Sequence, residues 1–339
     1  MAHKANVLII YTGGTIGMQK SAKGFIPVSG FLTQQLLSLP EFADPALPAF
    51  TVMEYSPLID SSNMRPENWV QIAGDILENY NQYDGFIVLH GTDTMAYTAS
   101  ALSFMLENLA KPVICTGSQI ALGQLRSDAT KNIIDSLLIA GLNKIPEVCV
   151  YFNNILLRGN RTQKVHANSM QAFASPNYPD LGNAGITIHI HENHLQSMPK
   201  AALSLRVIKQ PLIANLRLFP GISAKIFQAL FDQGIDGLVL DTYGSGNAPN
   251  NDPELLACIK QACDKGVVIV NISQCAQGSV DMAGYATGTA LADCGVISGF
   301  DMTPEAALTK LYYLFSADYS IADIRSLMQN NLRGELSSK

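Results

Sequence analysis

Charge is scarce in this chain of 339 residues, where Asp, Glu, Lys and Arg together make up 15%. The formal net charge of −6 leaves no basic excess, which argues against nucleic acid or an anionic membrane surface as a main partner. Long apolar runs are missing too. None approaches the ~20 residues that a membrane-spanning helix requires. The first residues hold one lysine and a short apolar run that meets a glycine-rich turn. That is neither a signal-peptide core nor a cleavage site. Cysteine is sparse and scattered. Cys115, Cys149, Cys258, Cys263, Cys275 and Cys294 follow no Cys-x-x-Cys or Cys/His ligand spacing. No metal site is expected, and reduced thiols in a cytoplasmic protein fit best.

What the chain does have is apolar residues in short blocks. They make up 47% of the sequence, and the length exceeds the usual size of one core, so two domains are expected. The blocks Val7–Tyr11, Gly85–Leu89, Pro112–Thr116 and Glu147–Phe152 are continuous, the pattern of strands buried on both faces. Phe50–Tyr55 alternates like a strand. Helical stretches lie at Pro66–Tyr80, Met95–Asn108 and Ser127–Ala140. Strand–turn–helix units recurring about every 30 residues are the signature of right-handed βαβ units around a parallel sheet. Residues 191–211 lose periodicity and read as a linker. The pattern then resumes with strands at Leu212–Phe219, Gly237–Leu240 and Val267–Asn271 and helices at Ile222–Gln233 and Pro253–Asp264. Thr303 and Pro304 open a later helix as N-cap and first residue. The expected fold class is α/β in two domains. A larger N-terminal domain, residues 1–190, holds a mostly parallel sheet flanked by helices, and a smaller C-terminal α/β domain spans residues 212–339.

Ligands of open α/β sheets bind at the carboxyl edge of the strands. Three turns expected at that edge are unusually polar: Thr12–Thr15, Asp60–Asn63 and Gly91–Thr94. If their strands are neighbours, the turns converge on one pocket. Each residue also has a plain reading. Thr15 is a nucleophile, a helix cap or a contact to phosphate or cofactor. The dinucleotide fingerprint is broken at Thr12, and no Lys-Ser/Thr pair completes a P-loop. Asp93 would cap the following helix, His90 would be a packing residue or a base, and Lys164 would be a surface lysine. Gln19–Gly30 reads as an exposed, mobile segment suited to a lid. Together these residues suggest more. A threonine hydroxyl needs a neighbour to take its proton. A lysine serves only when neutral, a state that burial favours and a nearby carboxylate opposes. A Thr–Lys–Asp group would relay the proton in place of a histidine, while glycine-turn N–H groups hold the oxyanion of the attacked carbonyl.

At this point the motifs resemble a known family. Tyr11–Ile16 (YTGGTI) and Leu89–Thr98 (LHGTDTMAYT) strongly resemble the two signatures of the bacterial-type L-asparaginases. Thr116–Gln119 (TGSQ), Arg158–Lys164 (RGNRTQK), Tyr243–Pro249 (YGSGNAP) and Gly284–Gly288 (GYATG) extend the resemblance over nearly the whole chain. The FIPVSG and MAYTASALSFMLENL stretches are similar to the cytoplasmic type I branch. The resemblance implies hydrolysis of L-asparagine through an acyl-threonine intermediate, without metal or organic cofactor. It implies Thr15 as nucleophile and Thr92, Asp93 and Lys164 as the proton-relay group. It places the substrate α-ammonium on Asp93 and its α-carboxylate at Asp60, Ser61 and Ser62. Asn247 would enter the site from a neighbouring subunit of a homo-oligomer, a dimer of intimate dimers. Two positions depart from the family pattern. Phe25 stands where the lid carries tyrosine and cannot relay a proton, so Phe25→Tyr is expected to raise kcat several-fold. Asp241 stands where a basic residue would suit an effector carboxylate, so asparagine cooperativity is expected to be weak or absent. A glutaminase-asparaginase and an amino-acid-binding sensor of weak activity are the alternatives.

Overall fold

The computed structural model describes residues 4–21, 24–284 and 286–337. The chain divides into two compact units, Met1–Leu205 and Arg206–Lys339.

The first unit is built on an eight-stranded sheet. Five strands run parallel in the spatial order Ala49–Ile59, Asn6–Gly13, Gly85–Leu89, Val113–Thr116, Val148–Phe152. Ile155–Arg158, Gly182–Ala184 and Ile188–Ile190 extend the sheet antiparallel. Parallel neighbours need long crossovers, and helices supply them. Val7, Ile9 and Tyr11 alternate onto one face with Ile87 and Leu89, where they pack against Ile133, Leu137 and Ala140 of the helix Ala129–Leu142. The helix Met95–Met105 is buried almost all round. Its small residues Ala96, Ala99, Ser100 and Ala101 allow that close packing.

Several expected boundaries differ from the observed ones. The strand expected at Phe50–Tyr55 continues to Ile59, pairing with Asn6–Gly13 across a register shift between Tyr11 and Gly13. Two short strands occupy described parts of the segment read as an exposed, mobile stretch, Gln19–Gly30. Met18–Ser21 and Gly24–Pro27 pair antiparallel, with Met18 opposite Pro27. The helix at Met95 ends at Met105, and Leu106–Glu107 pairs with Ser204–Leu205. That pairing lies within the stretch read as a linker, residues 191–211, and it ends the first unit at Leu205.

The second unit carries a four-stranded parallel sheet in the order Ile213–Arg217, Gly237–Thr242, Val268–Ser273, Ile297–Ser298. Its helices start on the caps their sequences announce. Asp252 accepts from Leu255 N–H ahead of Pro253–Asp264, and Thr303 accepts from Ala306 N–H ahead of Pro304–Phe315.

Candidate active site

The strands Gly85–Leu89, Asn6–Gly13 and Ala49–Ile59 are adjacent, so the three polar turns after them meet at one edge of the sheet. The first turn is stitched to its neighbour by Thr12. Its buried hydroxyl donates to the Leu89 carbonyl at 2.9 Å. That bond consumes Thr12, whereas Thr15, half-buried at the start of the 3-10 turn Thr15–Gly17, has no side-chain hydrogen bond among the described residues. Gly14 has φ 90°, and a Cβ there would lie 2.5 Å from Gly91 Cα. A Cβ on Gly91 would in turn lie 2.3 Å from Ser61 Oγ. Only glycines allow the first two turns to pack backbone against backbone and the Ser61 side chain to sit against Gly91.

In the turn after Ala49–Ile59, the Asp60 carboxylate accepts from Ser62 N–H and from Ser62 Oγ, both at 2.9 Å. Asp60 therefore shapes the 3-10 turn Ser61–Asn63, in which Ser61 is buried. The Thr94 hydroxyl donates to the Ser61 carbonyl at 2.7 Å, tying this turn to the Gly91–Thr94 turn.

Lys164 reaches the same edge from elsewhere in the unit. It sits in the short strand Gln163–Lys164, opposite Phe173. Its amine donates to Thr92 Oγ1 at 2.9 Å and to Asp93 Oδ1 at 2.7 Å. The Lys164 side chain is 20% exposed and that of Asp93 64%. An ion pair this open to water is worth ~1 kcal/mol or less, so its weight is geometric: it holds an amine against a hydroxyl. Gln119, of the TGSQ motif, steadies the loop beyond Lys164 by donating from Nε2 to Ala167 O and Ser169 O at 3.2 and 2.9 Å.

Thr92, Asp93 and Lys164 thus form one hydrogen-bonded group, on a turn packed against those carrying Thr15 and Ser61. The Phe25 side chain lies outside the described residues. Asn247 belongs to the second unit, where its N–H donates to Tyr243 O at 2.8 Å and its carbonyl accepts from Tyr243 N–H at 2.9 Å in a tight turn. Asp241 is the penultimate residue of the buried strand Gly237–Thr242 of that unit. Burial pushes its carboxyl up to about 6, against the pull of Arg217 and a hydrogen bond with Asn215. Two features escaped the sequence reading: the Thr94–Ser61 bond and the partners of His90. His90 is wholly enclosed, and desolvation pushes its imidazole down to about 4. Among the described residues, no cluster of His, Cys, Asp and Glu is placed to hold a metal ion, and no helix is long and apolar enough to cross a membrane.

Comparison with known proteins follows the same division. The profile "Asparaginase, N-terminal" matches residues 6–196, and "Glutaminase/Asparaginase C-terminal domain" matches residues 213–328. L-asparaginase 1 of Escherichia coli K12 is 53% identical over 336 residues, 98% of either chain. The crystal structure of L-asparaginase I from Vibrio cholerae superimposes with a TM-score of 0.93 at 50% identity, covering 99% of this chain and 100% of that one. The thermostable L-asparaginase from Thermococcus kodakarensis gives 0.89 at 32% identity, covering 98% and 100%. With both profiles in chain order and the threonine turns on one sheet edge, the chain belongs to the asparaginase family.

Proposed function

We propose that the chain hydrolyses L-asparagine to L-aspartate and ammonia, with Thr15 as nucleophile. The Lys164 amine held between Thr92 Oγ1 and Asp93 Oδ1, beside the Thr15 turn, is the observation that carries this reading. Thr15 Oγ attacks the side-chain amide carbon and gives its proton, through the Thr92 hydroxyl, to Lys164 in its neutral form. The oxyanion that forms is held by backbone N–H groups around Thr15 and Thr92. Collapse breaks the C–N bond, and the leaving nitrogen takes the proton that Thr15 gave up, returned by the Thr92–Lys164 group, to depart as ammonia. Water then attacks the acyl-threonine ester, releasing aspartate and restoring the Thr15 hydroxyl. The Asp60–Ser61–Ser62 turn receives the substrate α-carboxylate, and Asp93, acceptor-only when ionised, receives the α-ammonium.

The same reading extends to assembly and setting. Asn247 completes the site of a neighbouring copy in a homo-oligomer built from intimate dimers, up to a homotetramer. The six unpaired cysteines favour a reducing, cytoplasmic setting, where the reaction serves asparagine catabolism. Ammonia release from L-asparagine and L-glutamine, measured for wild type beside Thr15→Ala, tests the proposal. Release from asparagine that disappears in Thr15→Ala is expected. Asparagine bound but left intact by wild type would mark a sensor and end the reading.

A further inference from the structure

Resting on that reading, we propose that His90 is a positioning residue, aiming the Thr92 N–H at the developing oxyanion through a one-way chain of hydrogen bonds that starts at Trp69. The direction of the chain follows from what each atom can do. The Trp69 indole N–H can only donate, and it lies 3.1 Å from Thr98 Oγ1. Thr98 Oγ1 lies 2.8 Å from His90 Nε2. At the other side of the ring, His90 Nδ1 lies 2.7 Å from the Gly91 carbonyl oxygen, which can only accept. Nδ1 therefore carries the proton and Nε2 accepts from the Thr98 hydroxyl, a single tautomer fixed from both sides. Trp69, Thr98 and His90 are all buried, so water offers no competing partner.

The chain ends on a peptide that matters. The Gly91 carbonyl and the Thr92 N–H belong to one trans peptide group and point in opposite directions. A bond held at the oxygen fixes the plane of both and polarises the N–H. Gly91 has no side chain with which to restrict its own backbone, and the space where one would sit is filled by Ser61 Oγ. The Thr92 N–H has no hydrogen-bond partner among the described residues. The His90 bond thus holds a free donor in place on an otherwise permissive glycine.

Thr98→Val tests this, because it keeps the shape of residue 98 and removes the donor to Nε2. Outright loss of an oxyanion donor costs ~10²–10³ in rate, so misaiming one is expected to lower kcat about 10-fold, with KM within about twofold. Thr98→Ser, which restores the hydroxyl, is expected to recover most of the loss. Circular dichroism at the assay temperature confirms that the variants are folded. Independently of turnover, a nitrogen–proton correlation spectrum of the wild-type His90 ring is expected to place the proton on Nδ1. A proton on Nε2, an unchanged kcat in folded Thr98→Val, or a change confined to KM would overturn the proposal. Wild type that releases no ammonia from asparagine would remove the reaction and this role together. Active wild type with an unaffected Thr98→Val would remove the role alone.

Discussion

The amine of Lys164 meets the hydroxyl of Thr92 at 2.9 Å across 72 residues of sequence. The same amine lies 2.7 Å from the Asp93 carboxylate. One lysine therefore touches two adjacent polar side chains of a turn whose backbone abuts the Thr15 turn.

If that amine moves protons, shortening it to an apolar stem should be severe. Lys164→Met is expected to lower kcat by ~10²–10⁴, the range of general acid–base assistance. Lys164→Arg keeps the charge and cannot act as a base, so it is expected to remain nearly as slow. Steady-state ammonia release separates the cases. An arginine variant close to wild type would show that the charge alone matters.

Thr94 makes a narrower prediction. Its hydroxyl fixes the Ser61 carbonyl at 2.7 Å, and with it the spacing between the turn proposed to take the α-carboxylate and Asp93. Thr94→Val is expected to raise KM for asparagine about 10-fold, equivalent to losing one hydrogen bond, while kcat changes little. Thr94→Ser should restore KM. A fall in kcat at constant KM would place Thr94 elsewhere in the mechanism.

How much of this could be read in advance depends on what the signal was. Gly85–Leu89 and Pro253–Asp264 have the bounds their sequences suggested, because one is an unbroken apolar run and the other starts on an Asp cap and a proline. The pairing of Leu106–Glu107 with Ser204–Leu205 had no such signal, since two residues show no period and their partner lies far along the chain. The helix Ala286–Asp293 was missed because GYATGTALAD carries little amphipathic contrast. At the site, the glycine and threonine turns were legible as turns. Lys164 was less so, because a single lysine has no local pattern: taken alone it read as a surface residue, and its place in the relay was assigned by the family resemblance. The Trp69–Thr98–His90 chain was invisible for a related reason: its bonds join a helix, another helix and a strand end that only the tertiary fold brings together.

In the second unit, Lys310 and Glu335 form an ion pair with both side chains 0% exposed and their atoms 2.5 Å apart. Lys310 also donates to Met328 O and Asn330 O, at 3.0 and 2.6 Å, and Glu335 accepts from Leu332 N–H and Arg333 N–H. The pair thus clasps the segment after the helix Ile321–Met328 to the helix Pro304–Phe315. Burial pushes the Lys310 amine down in pKa, against the pull of Glu335. Lys310→Met strands a buried carboxylate and is expected to cost ~3–5 kcal/mol in urea unfolding. A loss under about 1 kcal/mol would mean that Glu335 finds water or another donor.

His90 also carries a pH prediction with a definite sign. Its ordinary value is 6.5, and burial pushes it down to about 4 in the folded chain. Between these values the unfolded chain binds a proton that the folded chain refuses, so stability rises with pH across that window. The contribution is complete above about pH 6.5 and is lost as pH falls toward 4, by at most ~3 kcal/mol. Asp241 acts in the opposite direction. Its carboxyl is raised to about 6 in the folded chain, so the folded state holds that proton more tightly and gains stability as pH falls from 6 toward 4. The wild-type curve mixes both terms, whereas the difference between wild type and His90→Asn isolates the imidazole, because Asp241 is common to both. Urea midpoints of wild type are expected to fall faster than those of His90→Asn between pH 6.5 and 4.5. Parallel curves would mean that the folded imidazole takes up its proton as readily as the unfolded one.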